Sequence, residues 1–159
     1  EARLSGLALQ QIQSRDEETT PDIAFKSVMT VLQDSGFRIL SADKDTGLIT
    51  GQASAESKLS YNLSFGFGQK KQVPIVSAFV EERGVNLTRI RLNFVMSTGK
   101  SRNAFTDEKP IEAPAVYKDA FEKIDKEIFT RQAMMATNLP SAQTAPAALP
   151  MGGASAPVK

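Results

Sequence analysis

Val28-Met-Thr-Val-Leu-Gln-Asp-Ser-Gly-Phe-Arg-Ile-Leu40 decides the fold. Val28, Val31 and Leu32 recur at spacings of three and four, which places them on one face of a helix. Gly36 falls where a residue in the left-handed region closes a helix without a Cβ penalty. Phe37 and Ile39 then alternate, the period of a strand with one buried face. A helix and a strand are thus joined by a link too short to let them separate.

Upstream, Thr20-Pro21-Asp22 marks where that helix begins. Thr20 can cap the free N–H groups, Pro21 suits the first turn, and the Asp22 carboxylate complements the helix dipole. Ala24 and Phe25 extend the apolar stripe. Before it, Ser14-Arg-Asp-Glu-Glu-Thr-Thr20 reads as a solvated polar connector. Leu7 and Leu9 alternate briefly, so Leu7 to Arg15 reads as a short, irregular strand behind a loose arm over residues 1–6.

Downstream, the period of two continues. Phe37 to Ala42 and Gly47 to Ala53 read as paired strands around Asp43-Lys-Asp-Thr-Gly47, which has the polar residues and late glycine of a hairpin loop. Asp43 and Asp45 have the spacing of calcium ligands, but an EF-hand loop requires Glu at its twelfth position, which would be Ser54. A turn is the reading that remains. Leu59, Tyr61, Leu63, Phe65 and Phe67 alternate with small polar residues as a strand would. The Phe65-Gly-Phe-Gly-Gln-Lys-Lys71 segment lacks the spacing of a phosphate loop. It reads as a hairpin tip, or as a loop that touches a protein partner.

Val73 to Val80 and Val85 to Val95 form the clearest hairpin, with Glu81-Glu-Arg-Gly84 as its expected turn and Gly84 free to take a positive φ. In the second strand Ile90, Leu92, Phe94 and Met96 share the buried parity. Arg89 and Arg91 point the opposite way. Lys109-Pro-Ile111 reads as a short extended piece, and Pro114 opens a second helix. There Tyr117, Phe121, Ile124 and Ile128 step by four, three and four, and Phe129 widens the stripe. Its charged residues, Glu122/Lys126 among them as a favourable pair, read as a solvated face.

Composition excludes several function classes. The 159 residues hold 19 basic and 18 acidic side chains, so a net charge of +1 supplies no field for nucleic acid or anionic lipid. With His and Cys both at 0, the nucleophilic triads that need them and His- or Cys-ligated metal sites are impossible. Carboxylate chemistry, a Ser-Lys pair and oxygen-ligated metals stay open. No cofactor, metal or nucleic-acid partner is therefore expected. The chain opens at Glu1 without a Met, which fits either an excised piece or a mature chain cut from a longer precursor. Residues 137–159 gather Pro140, Pro146, Pro150 and Pro157 among Ala, Ser and Gly, the composition of an extended or disordered tail.

Together these segments predict one α+β domain over residues 7–136. It is a two-layer sandwich in which an antiparallel sheet of four to five strands carries two helices on one face, in the order β-α-β-β-β-β-α.

Ile12-Gln-Ser-Arg15, Val31-Leu-Gln-Asp-Ser-Gly-Phe37, Gly47-Leu-Ile-Thr-Gly51, Arg89-Ile-Arg-Leu-Asn-Phe94 and Tyr117, Phe121, Ile128 and Phe129 resemble a family of short bacterial envelope lipoproteins. The architecture is similar to the helix-grip-like lipoprotein modules of the outer-membrane β-barrel assembly machinery. The resemblance spans roughly residues 7–131 and rests on core and turn positions. It implies a periplasmic, outer-membrane-associated lipoprotein, anchored through an N-terminal lipidated Cys that is not in this chain. The implied role is non-enzymatic, as a subunit packed among other envelope proteins in a secretion or efflux assembly. Partner contacts are then expected at Phe65, Phe67, Lys70 and Lys71, at Arg89 and Arg91, and through the two termini as arms. The alternatives are a carrier holding an apolar molecule between helices and sheet, and a carboxylate or Ser-Lys hydrolase.

Overall fold

The computed structural model describes residues 4–53, 71–99 and 107–138. In chain order these form α1 (Gly6–Gln13), β1 (Ser14–Glu17), α2 (Pro21–Asp34), β2 (Phe37–Asp43) and β3 (Leu48–Ala53). They continue with β4 (Lys71–Gly84), β5 (Leu87–Gly99), β6 (Asp107–Pro110) and α3 (Pro114–Asn138). One antiparallel sheet has the order β1-β5-β4-β3-β2, with β6 also paired to β5. Its registers place β1 beside Thr88–Arg91 and β6 beside Val95–Thr98, so both short strands share one side of β5.

The opening corner forms as its residues dictate. The Thr20 hydroxyl accepts from the Ile23 N–H, Pro21 occupies the first turn, and Asp22 stands beside the N-terminus of α2. Gly36 closes the helix at φ 94°, and Phe37 enters β2 buried. Ala24, Phe25, Val28, Val31 and Leu32 turn one side of α2 into the core.

Tyr117, Phe121, Ile124 and Ile128 do the same for α3. Val76, Ala78 and Val80 of β4 and Ile90, Leu92 and Phe94 of β5 supply most of the sheet's contribution, with Phe37 of β2 and Ile49 and Ala53 of β3. Phe94 packs edge-on to Tyr117 with ring centroids 5.2 Å apart, and tilted against Phe37 at 6.0 Å. These contacts fasten α3, β5 and β2 to one aromatic row. The architecture is the two-layer α+β sandwich, with the core confined to the helix-bearing face.

Four local expectations are corrected. Leu7 to Arg15 is not a strand: α1 occupies Gly6–Gln13, and the strand is Ser14–Glu17, inside the stretch expected to be a solvated connector, because it pairs with Thr88–Arg91 of β5. The Ser5 hydroxyl caps α1 by accepting from Ala8 N–H, and the Leu/Ala/Gln run favours helix over a two-residue alternation. The β4–β5 turn is Val85-Asn86, not Glu81–Gly84, because pairing runs on to Gly84 opposite Leu87. Asn86 takes the left-handed conformation at φ 52° that was expected of Gly84. Phe129 is 72% exposed, one residue beyond the stripe that Ile128 completes. Glu122 faces Lys118 at 3.8 Å rather than Lys126.

Candidate protein-contact site

Two surfaces bring charged and apolar groups together. The first is the sheet face away from the helices. Arg89 and Arg91 both stand on it, as their parity in β5 requires. Arg89 is fully engaged: its Nε donates to Asp16 Oδ1 at 2.7 Å and its terminal nitrogen to Asp16 Oδ2 at 3.2 Å. That guanidinium holds the Asp16 carboxyl below the usual range. Arg91 is exposed, and lies in register with Phe79 of β4 and, one strand further, Leu48 of β3. Leu48 is 46% exposed, so an apolar row ends at a cation on this face.

The second surface is a groove of about 430 Å³ between the N-terminal half of α2 and the C-terminal half of α3. Ile23, Met134 and Met135 give it apolar walls, and Asp22, Lys26, Glu127 and Arg131 line its rim. Lys44, from the β2–β3 turn, and Lys26 at 3.1 Å both reach the Asp22 carboxylate and hold it below its ordinary pKa. Across the groove Arg131 pairs with Glu127 at 2.9 Å and donates to Thr30 Oγ1 of α2 at 2.8 Å. Gln132 Nε2 donates to the carbonyl oxygen of Glu18 at 2.9 Å. These bonds hold α3 in place one turn beyond Ile128, its last buried residue.

A third cluster lies under α3, where the edge of the sheet meets it. Arg15 and Glu17 project from β1 to the helix side. Arg15 donates to Asp125 Oδ2 at 2.7 Å, and its guanidinium sits 5.0 Å from the centre of the Phe121 ring. Asp125 therefore turns toward β1, whereas the sequence placed it on the solvated face of the helix. Burial first, and then the neighbouring Asp125 carboxyl, raise Glu17 from 4.5 to about 8; Arg15 opposes the shift and Asp16 adds to it.

Of the six residues expected to meet a partner, Phe65, Phe67 and Lys70 lie outside the described residues. Lys71 is the first residue of β4. Arg89 and Arg91 share one sheet face, and of these two Arg91 makes no ion pair with the described residues. The interior between helices and sheet, expected to hold a ligand in the carrier reading, is filled by Val28, Leu32, Ile49, Val76, Ile90 and Ile124. The groove opens instead between the two helices. Sequence reasoning missed Ile23, Arg131, Met134 and Met135. The available signal was that Arg131 to Ala136 continue in good helix formers after the apolar stripe has ended.

No protein-family model matches the chain, and no curated protein matches it significantly. Among solved structures, the chain is similar to a DUF4468 family protein from Bacteroides ovatus, with a TM-score of 0.31 and 10% identity. That alignment covers 82% of this chain and 87% of the other.

Proposed function

We propose that the chain is a non-enzymatic subunit of a multiprotein bacterial cell-envelope assembly, facing the periplasm in association with the outer membrane. In this reading the groove between α2 and α3 grips a helical segment of a neighbouring subunit. The observation that carries it is the course of α3. The helix runs on from Ile128 to Asn138, and Met134 and Met135 are 59% and 56% exposed beside Ile23. A helix draws most of its stability from burying an apolar face, and here that face has no cover among the described residues. Methionine adapts its shape to the surface it meets, which suits a helix-in-groove contact. The paired charges on the rim fix which side of an amphipathic partner helix can enter. The envelope placement is supported by the resemblance of the core and turn segments to envelope lipoproteins.

The groove also supports a second reading, a carrier of a small apolar molecule. Its volume of about 430 Å³ lies within the range of ligand pockets. A photo-crosslinking side chain at position 135, in cells that assemble the complex, separates the two. The subunit reading expects an adduct to one protein that also co-purifies at fixed stoichiometry. Both signals should vanish in a Met134→Glu/Met135→Glu variant whose melting temperature is unchanged. A small molecule retained by the purified chain in native mass spectrometry, with no protein adduct, would establish the carrier instead.

A further inference from the structure

Glu17 Oε1 and Asp125 Oδ1 are both buried, and neither has a hydrogen-bond partner. Glu17 shares the helix side of β1 with Arg15, which grips Asp125, so the two carboxyls meet there. Both are hard to sustain as anions, because each would lose its water and face a like charge. One proton between the two groups satisfies both oxygens at once. Arg15 engages the other Asp125 oxygen at 2.7 Å, so a singly protonated pair plus Arg15 is neutral overall. The groups surrounding Glu17 agree with this count. β1 presents Arg15 and Asp16 beside it, and α3 presents Asp125. β5 presents Thr88 across the ladder, with Arg89 on the far face held by Asp16.

The pair sits at a lightly attached part of the fold. Helix α1 has no buried residue, and β1 is a four-residue strand on the sheet edge. Apart from the short β1–β5 ladder, this segment is held by half-buried Ile12, by Gln13 and by the links from Arg15 and Asp16. Gln13 Nε2 reaches Asn93 Oδ1 at 3.4 Å and the Tyr117 hydroxyl at 3.3 Å, both long contacts.

We propose that Glu17 and Asp125 share one proton and form a latch that fastens the α1–β1 segment to α3, and that loss of this proton in alkaline medium releases the segment from the sheet edge. Once both carboxyls are charged, repulsion acts across the β1–α3 contact while Arg15 can neutralise only one of them. Strands β3 and β4, which lie beyond β5 from the pair, stay closed because their own ladders do not depend on it. A device of this kind would let the N-terminal segment leave its edge of β5 without unfolding the domain.

Hydrogen exchange of the intact chain tests the latch without any substitution. After correction for the intrinsic pH dependence, amides of residues 12–17 should lose protection at least tenfold between pH 6 and pH 9. Amides of β3 and β4 should hold theirs. Glu17→Gln, which supplies a permanent donor to Asp125, should retain protection at pH 9. Equal protection of residues 12–17 at both pH values in the unmodified chain would overturn the proposal. So would a Glu17 carboxyl that titrates in the ordinary range by carbon-13 NMR, a readout that remains available if the variant folds poorly.

Discussion

The backbone N–H of Phe94 donates to the hydroxyl of Tyr117 at 3.2 Å, inside the core. Its carbonyl accepts from Ile111 N–H at 2.8 Å, so both polar groups of this residue point away from β4. On that side β1 pairs only as far as Arg91 and β6 only from Val95, which leaves 92–94 between two strand ends. Tyr117 therefore stands in for the missing strand partner, and α3 completes the sheet's hydrogen bonding as well as its packing. Tyr117→Phe keeps the ring and orphans a buried N–H, which should cost about 1–3 kcal/mol in chemical denaturation. An unchanged midpoint would mean that water or a rearranged β6 satisfies Phe94.

Gly47 and Gly84 make a paired test of where glycine is required. Gly47 has φ 79°, and a Cβ there would lie 2.1 Å from the Val80 carbonyl oxygen, a backbone atom that cannot move aside. Its own carbonyl accepts from Val80 N–H at 2.9 Å, which ties the β2–β3 turn to β4. Gly47→Ala should destabilise by roughly 2–4 kcal/mol through clash and backbone strain. Gly84 has no positive φ, and its nearest neighbour to an added Cβ is a Leu87 side-chain atom at 3.9 Å. Gly84→Ala should be close to neutral, and comparing the two melting temperatures checks both.

These residues show which parts of the fold the chain spells out locally. The Thr20-Pro21 start, the Gly36 stop and the Tyr117–Ile128 stripe depend on near neighbours, and all are legible in the sequence alone. Asn86 was missed because Gly84 is the stronger generic turn signal, while the register of β4 on β5 fixes the loop two residues later. The strand expected at Leu7 failed for a related reason, since a two-residue alternation is a weak signal beside a capped helical run. Asp125 and Glu17 are more than a hundred residues apart, and no local pattern announces that they meet. The groove has the same character, because its walls come from opposite ends of two helices.

The Asp16–Arg89 pair predicts an acid limb of different sign from the Glu17 latch. The Asp16 carboxyl is held below its ordinary value by Arg89, so its contribution is present above about pH 3.8 and is lost as pH falls through the lower folded value. Glu17 behaves oppositely: its pKa is raised, so its contribution is complete below pH 4.5 and is lost as pH rises toward about 8. Asp16→Asn should therefore flatten only the acid side of a melting-temperature profile. At neutral pH the variant should melt within a degree or two of the parent, because exposed ion pairs contribute little. Asp16 is the smallest contributor to the Glu17 shift, so loss of the alkaline limb in Asp16→Asn would show that its charge, and not burial and Asp125, sets that limb.

Ile128 and Phe129 are adjacent yet opposite in role. Ile128 is 5% exposed and ends the core stripe of α3, whereas Phe129 is 72% exposed. Ile128→Ala removes buried methylene groups and leaves a cavity where α3 crosses the core, at about 2–4 kcal/mol. Phe129→Ala removes a larger side chain but little buried area, so stability should change by no more than about 0.5 kcal/mol. Urea unfolding of the two variants checks the assignment. If Phe129→Ala proves the more damaging change, the ring is buried in solution by a second molecule. Its penalty should then grow with protein concentration for a second copy of this chain, and should appear only in the presence of another partner.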